Sequence, residues 1–254
     1  MTQTTANLTL SLARSGGVAL GLSLSLSTGA SADLPVVGAT LWLDALRPGT
    51  LFQDAARTTL AGVGDPVGSW FDPDAGIGAT QSGTARPVRA AAGLTFDGVD
   101  DFLDAAIGAR PQPETLYLVL QMTGTGAGFE TISDAVGNVN TGRLFVEALS
   151  GAPFLSAISG GSLANTTRPY GALVAVCAVF NGASSVLRVN TSDVSGNLGT
   201  NTSTGLRLGA YGTGAPGYFA SMRVAMVLRY AAAHTASQRD AIIAWAAARH
   251  GVTL

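Results

Sequence analysis

From residue 36 onward the sequence is broken every few residues by Gly, Asn, Asp or Pro, and the apolar residues between breaks run in short stretches. Many short strands with turn residues at close spacing indicate an all-β sandwich or barrel. The stretches that read as strands are 39–44, 67–71, 94–96, 115–122, 129–133, 143–149, 154–158, 172–180, 185–190, 205–209 and 219–230. In 115–122, Leu116, Leu118, Leu120 and Met122 alternate with Tyr117, Val119 and Gln121, so both faces are largely apolar. That pattern suits a central strand covered on both sides, as in a two-sheet core. Trp42, in Leu41-Trp42-Leu43, is expected in the core.

One helix interrupts the pattern. Thr235-Ala-Ser-Gln238 has capping-box spacing, Ile242, Trp245, Ala246 and Arg249 follow on one face, and Gly251 supplies the stop. Trp245 is expected to pack this helix onto the sandwich.

The first 35 residues differ in kind. Leu8, Leu10 and Leu12 alternate with polar residues, and after Arg14-Ser-Gly-Gly17 so do Val18, Leu20, Leu22, Leu24 and Leu26 with Ala, Gly and Ser. Strict period two predicts a β-hairpin with one leucine-rich face. A lone hairpin is barely stable in water, so this face needs the main domain, another copy or a partner. Residues 18–32, ending Gly-Ala-Ser-Ala, also resemble a secretion signal that would be cleaved before Asp33, although a signal's apolar region has no reason to alternate. The expected organisation is 1–35 as hairpin and linker for attachment or oligomerisation, and 36–254 as the sandwich.

Composition removes several classes. All basic residues are arginines, charged residues make up 12% and the net charge is −2, so there is no basic stripe for nucleic acid. Cys177 is the single cysteine, which leaves no intrachain disulfide and suits a small buried residue. No apolar run reaches the roughly 20 residues of a membrane-spanning helix, and no membrane insertion is expected.

The stretch Gly93-Leu-Thr-Phe-Asp-Gly-Val-Asp-Asp-Phe-Leu-Asp104 places an Asp-Gly turn between apolar runs, a hairpin signal in which Gly98 supplies positive φ. With Leu41-Trp-Leu-Asp-Ala45, Val67-Gly-Ser-Trp-Phe-Asp72 and the closing Ser237-Gln-Arg-Asp240, Trp245 and Arg249-His-Gly-Val252, it resembles the concanavalin A-like, laminin-G-like sandwich domains of bacterial and phage proteins. The resemblance covers about residues 39–254. It implies an all-β jelly-roll sandwich of two antiparallel sheets with one short C-terminal helix, often glycan-binding and sometimes calcium-assisted.

Candidate sites follow. Asp97, Asp100 and Asp101 are candidate ligands for calcium, which takes six to eight oxygens; they equally suit a turn whose carboxylates cap amides, and no other cofactor is expected. Asp72-Pro-Asp74 with Gly76 is a second acidic loop read as turn chemistry. Trp70, Tyr211 and Tyr218 are candidate sugar platforms, with Tyr211-Gly-Thr-Gly-Ala-Pro-Gly-Tyr218 the best loop; it also reads as a long hairpin with half-buried tyrosines. Leu8, Leu10, Leu12, Leu20, Leu22, Leu24 and Leu26 are the expected interface. Glutamate occurs only at Glu114, Glu130 and Glu147, without the carboxylate pattern of sandwich glucanases, and His234 and His250 read as residues flanking the helix. The expected function is non-enzymatic: a fibre, spike or decoration subunit of a virion, partnered by copies of itself and other virion proteins, with the sandwich facing host surface polysaccharide. A secreted glycan-binding module and a glycoside hydrolase stay open as alternatives.

Overall fold

The computed structural model describes residues 7–13, 21–27, 34–124, 128–137, 140–147, 154–167, 169–212 and 215–254, the first two stretches as backbone. In chain order the strands are β1 (Asn7–Ala13), β2 (Gly21–Ser27), β3 (Ala39–Asp44), β4 (Leu51–Phe52), β5 (Ser69–Asp72), β6 (Ile77–Thr80), β7 (Val88–Ala90), β8 (Gly93–Asp97), β9 (Leu103–Arg110), β10 (Glu114–Met122), β11 (Phe129–Asp134), β12 (Thr141–Glu147), β13 (Phe154–Ser159), β14 (Ser162–Asn165), β15 (Val174–Phe180), β16 (Ser185–Val189), β17 (Ser192–Gly196), β18 (Ser203–Leu208) and β19 (Ser221–Tyr230). Helix α1 (Ala236–His250) follows.

The protein is an all-β sandwich of two antiparallel sheets with one C-terminal helix. The first sheet runs β17-β16-β15-β10-β19-β8-β7, with β3 also paired to β19; the second runs β14-β13-β12-β11-β18-β9-β6-β5-β4. The hairpin predicted at the N-terminus forms a two-stranded sheet, β1 with β2, whose register sets Leu8 opposite Leu26, Leu10 opposite Leu24 and Leu12 opposite Leu22. Leu20 lies outside the described residues.

The main core fills the space between the sheets. From β10 it takes Leu116, Leu118, Leu120 and Met122, and from β15 Val174, Val176, Ala178 and Phe180. Tyr117 and Val119 of β10, and Ala175, Cys177 and Val179 of β15, point the other way into a second core. Its far side is α1, through Ile242, Ile243, Ala246 and Ala247, so the second cover expected for β10 is the helix. Each fully buried Leu or Val contributes roughly 1.5–3 kcal/mol, which makes these doubly covered strands the mechanical centre of the fold.

The helix ends are as expected. Thr235 Oγ1 accepts from the Gln238 amide at 3.3 Å, Gln238 Oε1 accepts from the Thr235 amide at 2.9 Å, and Gly251 takes φ 73. Trp42 is core, whereas Trp245 is half-buried at the rim, edge-on to Trp42 at 5.9 Å. His234 is not a surface residue: its Nδ1 shares a 2.7 Å hydrogen bond with Tyr117 Oη in the second core.

At the β9/β10 end, Glu114 is buried between Arg110 and Arg229, which donate to both of its oxygens. This carboxylate is committed to neutralising two buried cations. No helix among the described residues is long and apolar enough to cross a membrane.

Candidate functional site

Several connections pass from one sheet to the other at the same end of the sandwich, and three of them meet around one cleft. These three are β8 to β9, β10 to β11, and β18 to β19. The Asp-Gly turn is therefore not the hairpin its sequence predicts: β8 belongs to the first sheet and β9 to the second. Together the three crossings wall a cleft of about 540 Å³. Asp97 and Gly98 come from the first, Gly124, Phe129 and Glu130 from the second, and Tyr218, Phe219 and Ser221 from the third.

The first crossing is built by its aspartates. Asp97 Oδ1 accepts from the amides of Val99 at 2.8 Å and Asp100 at 3.3 Å, and Asp101 Oδ2 accepts from the Asp97 amide at 2.9 Å. Gly98 takes φ 77, and a Cβ there would stand 2.9 Å from Ser221 Cβ, so the turn requires glycine for both its conformation and its closeness to β19. Burial pushes the Asp101 carboxyl up to about 6, and the charges of Asp97 and Asp100 add to this. The three carboxylates bring ligand atoms within 4.8 Å of one another. Two of them already cap amides, and three residues supply fewer oxygens than the six to eight calcium takes.

In the second crossing Glu130 is buried and tied at both oxygens. Tyr170 Oη donates to Oε2, and the Ser221 amide donates to Oε1 at 3.0 Å. The carboxylate reaches this position because Gly124 has no side chain; a Cβ there would lie 2.5 Å from Glu130 Oε1. Burial and the neighbouring Glu130 raise the Tyr170 phenol well above its ordinary range, so it remains a donor. No sequence signal pairs Glu130 with Tyr170; they stand 40 residues apart and meet only through the fold.

The third crossing presents the aromatic platform. Tyr211 donates its amide to the Gly217 carbonyl at 2.7 Å, and Ala220 to Gly209 at 2.9 Å, which closes a hairpin-like loop on the way between sheets. Tyr218 is 55% exposed and sits at φ 49, a left-handed conformation uncommon for an aromatic residue. Its carbonyl accepts from the Thr131 amide at 2.7 Å, which pins that backbone to β11. The ring stands edge-on to Phe129 at 5.9 Å and to Tyr211 at 5.6 Å. Beneath lies the buried guanidinium of Arg143, 4.7 Å from the Tyr211 ring and 5.7 Å from the Tyr218 ring, donating to Thr131 Oγ1 at 2.7 Å. Tyr211 is half-buried and supports Tyr218 without lining the cleft.

Trp70 does not belong to this site. It lies in β5 on the inward side of the pleat, opposite Ala79, fully buried in the main core. Its ring has no face to offer a ligand; nearness to a turn in sequence misplaced it. The second acidic loop is structural as expected: Asp72 accepts from the Trp42 amide at 2.7 Å, and Asp72 and Asp74 pair with Arg47.

No family model matches the sequence, and no curated protein matches it. Among solved structures the chain is similar to a Trypanosoma rangeli sialidase, with 14% identity and a TM-score of 0.58 over 87% of this chain and 34% of that one. The same sialidase with 2,3-difluorosialic acid, a covalent intermediate, gives the same values. A mutant of it displaying trans-sialidase activity gives 13% identity and a TM-score of 0.56, over 90% of this chain and 35% of that one. The chain thus spans about a third of the length of these enzymes. At such identity the likeness is one of fold, and the fold alone does not carry a function.

Proposed function

We propose that this chain is a non-catalytic glycan-binding sandwich whose N-terminal hairpin attaches it to copies of itself and to other proteins of a virion appendage. The observation that carries the binding half is the cleft in which an exposed, conformationally strained tyrosine and a second exposed aromatic, Phe129, face two carboxylates. A sugar ring has apolar C–H faces that settle on aromatic rings and hydroxyls that donate to carboxylates. Strained backbone persists where the surroundings over-determine it, often at ligand sites. Both Glu130 oxygens and Asp97 Oδ1 already serve as structural acceptors, and Glu114 is locked between arginines. Those roles favour holding a ligand over transferring protons to it.

The attachment half is supported by the leucine register of β1 and β2 and by the marginal stability of a hairpin alone. The resemblance to appendage sandwiches supports its setting on a virion. Two measurements test the proposal. A glycan array probed with the full chain, with and without calcium, should show binding that Tyr218→Ala removes and no release of sugar on prolonged incubation. Light scattering should show an oligomer that Leu10→Ser with Leu24→Ser disperses. A monomeric full chain, or a mature form starting at Asp33, would favour a secreted module and defeat the appendage role.

A further inference from the structure

The class of sugar follows from the walls of the cleft. Among the described lining residues, Asp97 and Glu130 are acidic and the rest are aromatic, glycine or serine; none is basic. Asp100 and Asp101 stand in the same turn as Asp97 and add to the negative field. The cation that touches the platform, Arg143, is 7% exposed and lies against the Phe145, Tyr211 and Tyr218 rings, bonded to Thr131 and Asn140. It steadies the platform and offers no arm to a ligand anion.

Glu130 is organised as an acceptor. A carboxylate has about four lone-pair sites, and the Tyr170 phenol and the Ser221 amide engage one on each oxygen. The remaining sites match the O–H donors of a sugar. A ligand carboxylate in the same place would meet like charge, and like-charge juxtaposition across an interface is a strong discriminator.

Resting on the glycan-binding proposal above, we infer that the cleft takes an uncharged sugar ring, its C–H face on Tyr218 and Phe129 and its hydroxyls donating to Glu130 and Asp97, and that it rejects sialylated and uronate-bearing glycans. The test is calorimetric titration of the full chain with matched neutral and acidic oligosaccharides, lactose against 3′-sialyllactose and a neutral hexose oligomer against an oligouronate, in calcium and in chelator. At least one neutral ligand should bind tenfold or more tightly than its acidic partner, a difference of about 1.4 kcal/mol. Glu130→Gln, whose carbonyl oxygen can still accept from the Ser221 amide while its NH2 donates to the Tyr170 hydroxyl, should weaken neutral binding severalfold and narrow the discrimination. Acidic glycans bound as tightly as neutral ones in either buffer, with binding lost in Tyr218→Ala, would overturn the inference and leave the glycan-binding proposal standing. Binding of no glycan of either class, or binding unaffected by Tyr218→Ala, would overturn that proposal itself.

Discussion

Replacing Tyr218 by glycine removes the exposed ring of the platform and at the same time relieves a backbone conformation that tyrosine disfavours. The left-handed conformation at φ 49 costs a non-glycine residue about 1–2 kcal/mol. The ring gives some of this back through its edge-on contacts with Phe129 and Tyr211 and its distance of 5.7 Å from the Arg143 guanidinium. Aromatic pairs of this kind contribute about 0.5–1.5 kcal/mol each and an exposed cation–π contact up to about 1. With the ring 55% exposed, the low end applies, about 1–2 kcal/mol in all. Tyr218→Gly loses the contacts and the strain together, so its stability should match the wild type within about 1 kcal/mol. Tyr218→Ala loses the contacts and keeps the strain, so it should be destabilised by about 1–2 kcal/mol, or roughly 2–8 °C in Tm for a domain of this size. Both variants should bind the preferred glycan at least tenfold more weakly. Thermal unfolding and calorimetric titration on the three proteins decide the matter. An alanine variant as stable as the glycine one would refute stored strain at Tyr218, and wild-type binding by both would refute the platform.

Gly124→Ala should thrust a methyl group to within 2.5 Å of the fixed Glu130 carboxylate and reduce glycan binding with a loss of about 1–3 kcal/mol in urea stability, since both partners of Glu130 must shift; unchanged binding would show that the carboxylate's position is immaterial. Glu114→Ala leaves Arg110 and Arg229 buried without their counter-charge and should cost about 3–5 kcal/mol by chemical denaturation; a loss under about 1 kcal/mol would refute the network's role. Asp101, with its folded pKa raised from 3.8 to about 6, binds more protons folded than unfolded between those values, so it lowers stability as pH rises from about 4 to above 6. Asp101→Asn, which retains an acceptor for the Asp97 amide, should therefore be about 1–2 kcal/mol more stable than wild type at pH 7.5, after discounting for solvent screening, and nearly equal at pH 4; a difference independent of pH would refute the assignment.

Much of the sandwich was legible because its central strands are apolar and its breaks are marked by turn residues. β3 spans the 39–44 stretch marked by its short apolar run Leu41-Trp42-Leu43, and the helix is set by a capping box whose two bonds both form. β9 was missed. Its sequence, Leu-Asp-Ala-Ala-Ile-Gly-Ala-Arg, lacks β-branched and aromatic residues apart from Ile107, and Gly108 takes φ 66. It is a strand because β18 and β6 flank it and because Arg207 spans to Asp104 across the ladder at 2.7 Å, which is tertiary context overriding local propensity. The short edge strands β4 and β7 were missed for the same reason. For the site, the turn chemistry of Asp97 and Asp101 and the exposure of Tyr218 have local signals. The Glu130–Tyr170 pair and the burial of Trp70 do not, because each depends on which pleat position faces which sheet.

Why aspartate and glutamate gather at this end follows from the crossings themselves. Stacked sheets lie about 10 Å apart, and a chain that leaves one for the other carries amides that neither ladder can satisfy. Amides left without a ladder partner turn to side chains or water. Here Asp97 supplies the partner for Val99 and Asp100, Asp101 for Asp97, and Glu130 for Ser221. Each carboxylate spends part of its acceptor capacity on the fold and keeps the rest, and for Asp97 and Glu130 that remainder is in the cleft wall. Turn chemistry and ligand chemistry are therefore not alternatives at these positions. A substitution at Asp97 or Glu130 should lower stability and binding together, whereas Tyr218→Gly should lower binding alone, because Tyr218 is the wall residue whose backbone conformation opposes folding.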